Sequence, residues 1–446
     1  MSSAAIVNLF QPILNASLLE VPLIVQPLAA LRFFVASTGT EYAPRVAFER
    51  TASAIASARR AALADRYATD ALAVEWRELA DLEPIAKEWR ALAARALEPN
   101  VFYEPAFALA AAPVFGRRFG AVLVWSGNEP RQLLGLFPAR IARRRYGLKL
   151  PMLIGWTHPY APLGTPLVER EAAEPVIAAW LAHLAGNSAL PGLLLLPLIA
   201  EDGPFAAALN ACLRRAQMPW TDFARHHRAL LEPGEDRIDY VEHALSNHRL
   251  RELQRGGRRL ADLGALLFTT STEPAAVAAQ VDDFLALEAG GWKGEAGTAA
   301  ADHHELRRFL KSALHGLAAE GQAATDRIML DGRPIAAGIT LRSGDTAWYW
   351  KTAYAEKFAR YAPGLMLTVA LTERLADDAT ITRTDSCAMP GMAMIDEVWN
   401  ERLALCDRLI GLRPPAPYSF ACRLEALRGA ALAAAKAMRA RLRPRR

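Results

Sequence analysis

The residues best suited to chemistry in this 446-residue chain gather between Glu288 and Asp385. Asp385 ends a run, Thr380 to Asp385, whose β-branched residues predict a strand. A carboxylate at a strand end beside a cleft can act as a general base once burial raises its pKa. Glu288, at the end of an apolar helical pattern, is a further candidate acid, and Lys351 is a cation on an aromatic strand. Cys387 is a nucleophile by type, yet no histidine or helix start is visibly placed to activate it. Between Lys351 and Asp385 the chain reads Tyr361-Ala362-Pro363-Gly364 and then turns apolar. A helix entered through Pro-Gly leaves unpaired N–H groups at the positive end of its dipole, where an anion such as a pyrophosphate is favoured. The amides of Gly364, Leu365 and Met366 are therefore the candidate donors, with glycine permitting close approach. The plain alternative is that Pro-Gly merely starts a helix.

Three further features carry polar chemistry. Trp292-Lys293-Gly294 closes a helix in a glycine-rich loop, where the Lys can pair with an acidic ligand and the Trp can stack on a ring; a simple C-cap is the competing reading. Along the strand from Thr346, strict alternation puts Trp348, Trp350 and Thr352 on one face and Tyr349 and Lys351 on the other, with Tyr354 just beyond. Lys351 and Tyr354 would then line an acceptor groove. Arg251, Arg255, Arg258 and Arg259 share a helix face that meets either an anion or only solvent.

Other classes are disfavoured by composition. At 52% hydrophobic and 22% charged residues, the chain has an ordinary soluble composition and room for two or three domains. Residues Arg423 to Arg446 hold eight cations and one carboxylate, so with a whole-chain net charge of +5 the rest is slightly acidic. Nucleic acid is thus not an expected partner of the body, while the basic tail could make peripheral contact with an anionic membrane. The four cysteines (Cys212, Cys387, Cys406, Cys422) show no zinc spacing with the nine histidines. The adjacent pairs His226-His227 and His303-His304 point apart on a helix, so no metal is expected. Pro12 to Ala36 is too interrupted for a membrane span and lacks a signal-peptide pattern, and a cytoplasmic location follows as the default.

The elements that must position these residues divide the chain into four. Residues 1–70 read as a poorly ordered extension, 71–231 and 235–422 as two domains, and 423–446 as a basic tail. The second domain reads β-α-α-β-β-β-α-β-α-β, the first repeats much of that order, and Tyr-Ala-Pro precedes a glycine in both, at Tyr160 and at Tyr361.

That order resembles tandem GNAT-like acyltransferase domains, an α/β (α+β) architecture of mixed sheets flanked by helices. The second half is similar to CelD/BcsL-type acetyltransferases linked with cellulose and exopolysaccharide biosynthesis, relatives of the Fem-type aminoacyltransferases. The stretches that carry the likeness are Ser246 to Leu260, Glu288 to Gly294 with Gly297-Thr298-Ala299, Asp331 to Ala336, Trp350 to Tyr354, Tyr361 to Gly364, and Asp385; in the first half they are Trp89 and Asn100-Val101-Phe102. The likeness runs roughly from Ala71 to Leu412. Two departures stand out: Met394-Ile395-Asp396 replaces the family's Tyr-Lys pair, and Tyr361-Ala362-Pro363-Gly364 replaces the usual glycine-rich phosphate loop.

The resemblance implies acetyl-CoA or another acyl-CoA as co-substrate, bound by Gly364, Leu365 and Met366, and a small-molecule or saccharide acceptor, a sugar or an amine. Asp385, Lys351 and Glu288 become the catalytic candidates and Trp292, Lys293 and Tyr354 the substrate-binding ones. A catalytically silent scaffold in a polysaccharide-synthesis assembly and an aminoacyl-tRNA-dependent transferase are the alternatives; the non-basic body counts against the latter.

Overall fold

The computed structural model describes residues 72–127, 130–234, 237, 239–291, 303–413 and 416–442. The expected extension, together with Trp292 and Lys293, lies outside them.

In the first half, β1 (Ala73–Glu78) leads through short 3-10 turns to α1 (Ala86–Ala93). The Asn100 side chain then accepts the Phe102 N–H (3.1 Å) and donates to the Thr165 carbonyl (2.8 Å), which fixes the approach to α2 (Pro105–Phe115). Pro105 opens that helix at no cost, because a first-turn N–H is unpaired anyway. Next come β2 (Gly120–Trp125), β3 (Leu133–Ala142), β4 (Met152–Gly155), β5 (Leu167–Val168), α3 (Ala173–Gly186), β6 (Leu193–Ala200), α4 (Pro204–Arg215) and β7 (Trp220–Leu231). The sequence reading has no counterpart of β4 and β5, which are too short for alternation to register.

A single helix is expected from Tyr240 to Leu260, but the structure breaks it into α5 (Tyr240–Ala244) and α6 (Asn247–Ala261). Ser246 is the cause: its backbone is extended, and its side chain accepts the Arg249 N–H (3.2 Å), capping a fresh helix. β8 (Leu266–Ser271), α7 (Pro274–Ala289), α8 (His304–Ala319), β9 (Ala323–Leu330), β10 (Arg333–Ser343) and β11 (Thr346–Tyr354) follow. The chain continues with α9 (Pro363–Asp377), β12 (Arg383–Asp385), α10 (Ala393–Asp396), β13 (Glu401–Gly411) and α11 (Ala416–Leu442).

All thirteen strands of the described residues join one mixed sheet in the order β1-β2-β3-β4-β6-β13-β7-β12-β11-β10-β9-β8, with β5 on β3. Each half contributes one parallel pair, β4 with β6 and β11 with β12. The halves exchange strands at the centre. β13 lies between β6 and β7, and β7 lies between β12 and β13, so each half's last strand completes the other's sheet.

One core crosses the seam. Phe107 of α2 meets Phe309 of α8 edge-on at 5.4 Å and Trp350 of β11 at 5.5 Å, and Phe102 meets Trp348 at 6.0 Å. Such pairs prefer tilted, edge-to-face contact and add to the burial of the rings themselves. Gly316 lets α8 approach α2 closely, since a side chain there would start 3.2 Å from the Ala106 methyl. Trp348 and Trp350 of β11 are thereby locked against the first half.

Candidate active site

β11 and β12 pair in parallel for only three residues, Thr346 with Arg383, Ala347 with Thr384 and Trp348 with Asp385. Beyond that point β12 stops and β11 runs on to Tyr354, so the sheet splits open. A β-bulge marks the split. Ile339 faces Lys351 and Thr340 faces Tyr349, which leaves Trp350 without an opposing residue. A bulge adds one residue to a strand and re-aims the side chains after it. Strict alternation therefore fails here: Ala353 joins Trp348 and Trp350 in the core between the halves, and Tyr354 joins Tyr349 on the α9 side. Lys351 is correspondingly placed beside Trp350, its ammonium 4.2 Å from the centroid of the Tyr160 ring and 5.7 Å from that of Trp350.

Tyr160 comes from the first half, on the loop from Trp156 to Gly164. Two hydrogen bonds fasten that loop to the split: Trp350 Nε1 donates to the Tyr160 carbonyl (2.8 Å) and Arg228 Nη1 to the Pro162 carbonyl (2.9 Å). Arg228 also forms a buried ion pair with Asp385, both side chains being under 5% exposed. The other Asp385 oxygen accepts the Cys387 N–H (2.9 Å). Both oxygens of that carboxylate are thus engaged.

Burial dominates the titration of this region. It pushes the Tyr160 hydroxyl up to about 12, with the nearby Glu288 carboxylate adding to the effect, so the phenol keeps its proton at neutral pH. It holds His158 down near 3, helped by the Lys351 charge; the neutral ring stacks on Phe115 at 4.1 Å. Burial and then the Asp385 charge raise the Cys387 thiol well above its usual range, which removes it as a thiolate nucleophile. Glu288, 7% exposed, lies in the last turn of α7, and its charge reaches the Tyr160 hydroxyl.

The start of α9 forms the other end of the site. A 3-10 turn, Glu356–Tyr361, delivers the chain to Ala362, whose left-handed backbone (φ 55) and methyl side chain provide no cap. The Met366 N–H donates to the Ala362 carbonyl (3.0 Å), so Gly364 and Leu365 carry the unsatisfied amides and Met366 does not. Glycine is required at 364 by a side chain: a Cβ there would lie 2.9 Å from Cδ1 of Tyr354 and 3.3 Å from Sδ of Met394. Alongside, α6 presses close enough that a Cβ on Gly256 would meet the Tyr361 carbonyl at 2.9 Å. The groove between them, about 210 Å3, is lined by Arg249, Arg255, Arg259 and Arg360 together with Glu252 and Tyr361. Arg249 is held by Glu397 (2.6 Å) and Arg360 by the Tyr361 hydroxyl (2.6 Å). The Glu252 carboxylate in the same groove feels the charge of Arg255, whereas Arg259 makes no ion pair among the described residues. Of the four arginines expected on one face, Arg251 and Arg258 do not line this groove.

The equivalent split in the first half is closed. Beyond the β4–β6 pair, the Gly164 N–H donates to the Leu198 carbonyl (2.9 Å), and a Cβ on Gly164 would lie 2.0 Å from the Pro197 carbonyl oxygen. The loop that carries Tyr160 to the second half therefore fills the first half's own opening.

Tyr160 and Arg228 are absent from the sequence-derived candidates. The echoed Tyr-Ala-Pro pointed at the right loop, whereas nothing marks Arg228 as buried in a strand that reads His226-His227-Arg228-Ala229. Among the described residues no cluster of His, Cys, Asp or Glu is arranged to hold a metal, and no helix is long and apolar enough to cross a membrane.

Residues 247–390 match the family model described as an acetyltransferase (GNAT) domain. No curated protein matches the chain. Among solved structures, FemX aligns with 73% of this chain and 95% of its own at 8% identity and a TM-score of 0.51. A conserved protein of unknown function from Bacteroides thetaiotaomicron covers 76% of this chain and 100% of its own at 12% identity (TM-score 0.45). A tandem GNAT protein from the clavulanic acid biosynthesis pathway covers 77% and 100% at 13% identity (TM-score 0.39). The second half thus matches a GNAT acetyltransferase domain over residues 247–390, and the chain as a whole shares the mixed α/β fold of FemX.

Proposed function

We propose that the unit over residues 235–422 moves an acetyl or related acyl group from coenzyme A to a sugar or amine acceptor in polysaccharide production. The observation that carries the reading is the split of β11 from β12 at Trp348 and Asp385, next to a helix start with two unsatisfied amides and a groove rich in arginine. The first half shapes and supports this cleft. The acceptor class rests on the likeness of the second half to polysaccharide-linked acetyltransferases.

The residues at α9 fit an acyl-CoA. The Gly364 and Leu365 amides, with Arg255 and Arg259, have the donors and positive charge that a pyrophosphate needs. When bound, the co-substrate supplies an electrophilic thioester carbonyl. Glu288 takes the proton from the acceptor amine or hydroxyl, and Lys351 offers its charge to the oxygen that becomes negative. Tyr160, protonated at working pH, is the group that can return a proton to a leaving thiolate. Asp385 acts as a positioning residue, because its two oxygens hold Arg228 and the Cys387 amide. Trp292 and Lys293 keep their proposed role at the acceptor.

Calorimetry with acetyl-CoA tests the reading. Micromolar binding is expected, and no heat at millimolar ligand would overturn it. The silent-scaffold reading has one observation in its favour, the Tyr354 ring and Met394 thioether packed against Gly364. Thioester turnover with a panel of amino sugars separates the two: binding without any turnover would leave only the scaffold.

A further inference from the structure

Cations are unevenly distributed in this molecule. From Pro130 to Val168 the chain has Arg131, Arg140, Arg143, Arg144, Arg145 and Lys149 and not one aspartate or glutamate. Five of the six lie on the hairpin of β3 and β4, whose tip turns through Tyr146 (φ 50) and Gly147 (φ 81). Ile141, Tyr146 and Leu148 are each 44% exposed beside those charges. Arg118, Arg140, Arg143 and Arg144 also line an open cup of about 740 Å3 with Trp76 and Glu78.

α11 docks onto the same hairpin. Glu425 accepts hydrogen bonds from Arg145 Nε and from the Tyr146 hydroxyl, both at 2.8 Å, and the Arg428 guanidinium lies 5.4 Å from the centroid of the Tyr146 ring. The helix then leaves the body, and every residue from Ala426 to Ala435 is exposed. Phe420, Leu427, Ala431, Ala434 and Met438 recur at helical spacing on one stripe, with Leu427 69% and Met438 61% exposed. Arg423 and Arg428 flank that stripe.

Three occupants compete for such a surface. A second copy would bring like charges together. Nucleic acid would use the cations and leave the exposed Leu, Met and Ile side chains unexplained. An anionic bilayer uses both, since apolar side chains enter the acyl boundary while arginines reach the phosphates. We propose that the β3–β4 hairpin tip and α11 together form a docking surface for anionic lipid. It stands independently of the acyl-transfer reading.

The test is flotation of the full chain with phosphatidylcholine vesicles, with and without phosphatidylglycerol. Binding is expected only with the anionic lipid and should weaken as salt rises. Arg143→Gln with Arg144→Gln should weaken it about 25-fold, at about fivefold for each cation near the surface. Leu427→Ser with Met438→Ser should weaken it as well, and unchanged circular dichroism verifies that both variants fold. Absence of binding to phosphatidylglycerol vesicles overturns the proposal. So does a Leu427/Met438 variant that binds like wild type while duplex DNA competes, which would mark a nucleic-acid surface instead.

Discussion

Arg228 and Asp385 stand 157 residues apart in sequence and meet in a buried ion pair at the end of the β11–β12 pairing. Arg228 lies on the last strand of the first half and Asp385 on the strand at which the second half splits, so one contact ties the exchanged strand, the Tyr160 loop and the cleft together.

Removing one partner leaves a buried charge alone, which costs about 3–5 kcal/mol. Asp385→Ala should therefore lower stability by that order in urea unfolding, and Arg228→Met combined with Asp385→Leu should regain most of it. If Asp385→Asn folds normally and only turnover is lost, Asp385 acts as a base and not as a positioning residue.

Gly364→Ala places a methyl 2.9 Å from the Tyr354 ring. Acetyl-CoA affinity should fall at least tenfold by calorimetry. Adding Tyr354→Ala should restore part of it, because the clash is with that ring and not with the ligand.

Tyr160→Phe keeps the ring under the Lys351 ammonium and removes only the hydroxyl. General acid–base groups contribute roughly 100- to 10,000-fold, so kcat should drop within that range with little change in KM for acetyl-CoA. The raised Tyr160 pKa also predicts a stability term present below pH 10 and lost as pH climbs toward about 12. Wild type should lose more stability than Tyr160→Phe across that window.

His158 is the converse case. Its pKa is depressed from 6.5 to about 3, so the neutral ring contributes stability above pH 6.5 that drains away as pH falls toward 3. His158→Phe, which preserves stacking on Phe115, should show a flatter acid-unfolding curve than wild type between those limits. Parallel curves would remove His158 from the acid response.

The elements around the site were largely legible in the chain. Pro363 starting α9, the Asp331-Gly332 turn between β9 and β10, and the aromatic run of β11 are local signals, each written in residues a few positions apart. Facing on β11 was not, because alternation cannot reveal that Trp350 is the bulged residue; that depends on how β10 pairs with it. Ser246 announces a cap only once its neighbours are seen to leave the helix.

By itself the sequence determined the order of elements from β8 to β13, the Pro-Gly helix start and the concentration of cations in its last residues, since all three follow from local propensity and charge. Tertiary structure alone decided that β7 and β13 exchange places, that Arg228 meets Asp385, and that Tyr160 of one half stands over Lys351 of the other. Those relationships join residues more than 150 positions apart through strand pairing and close packing, and no local pattern in the chain encodes them.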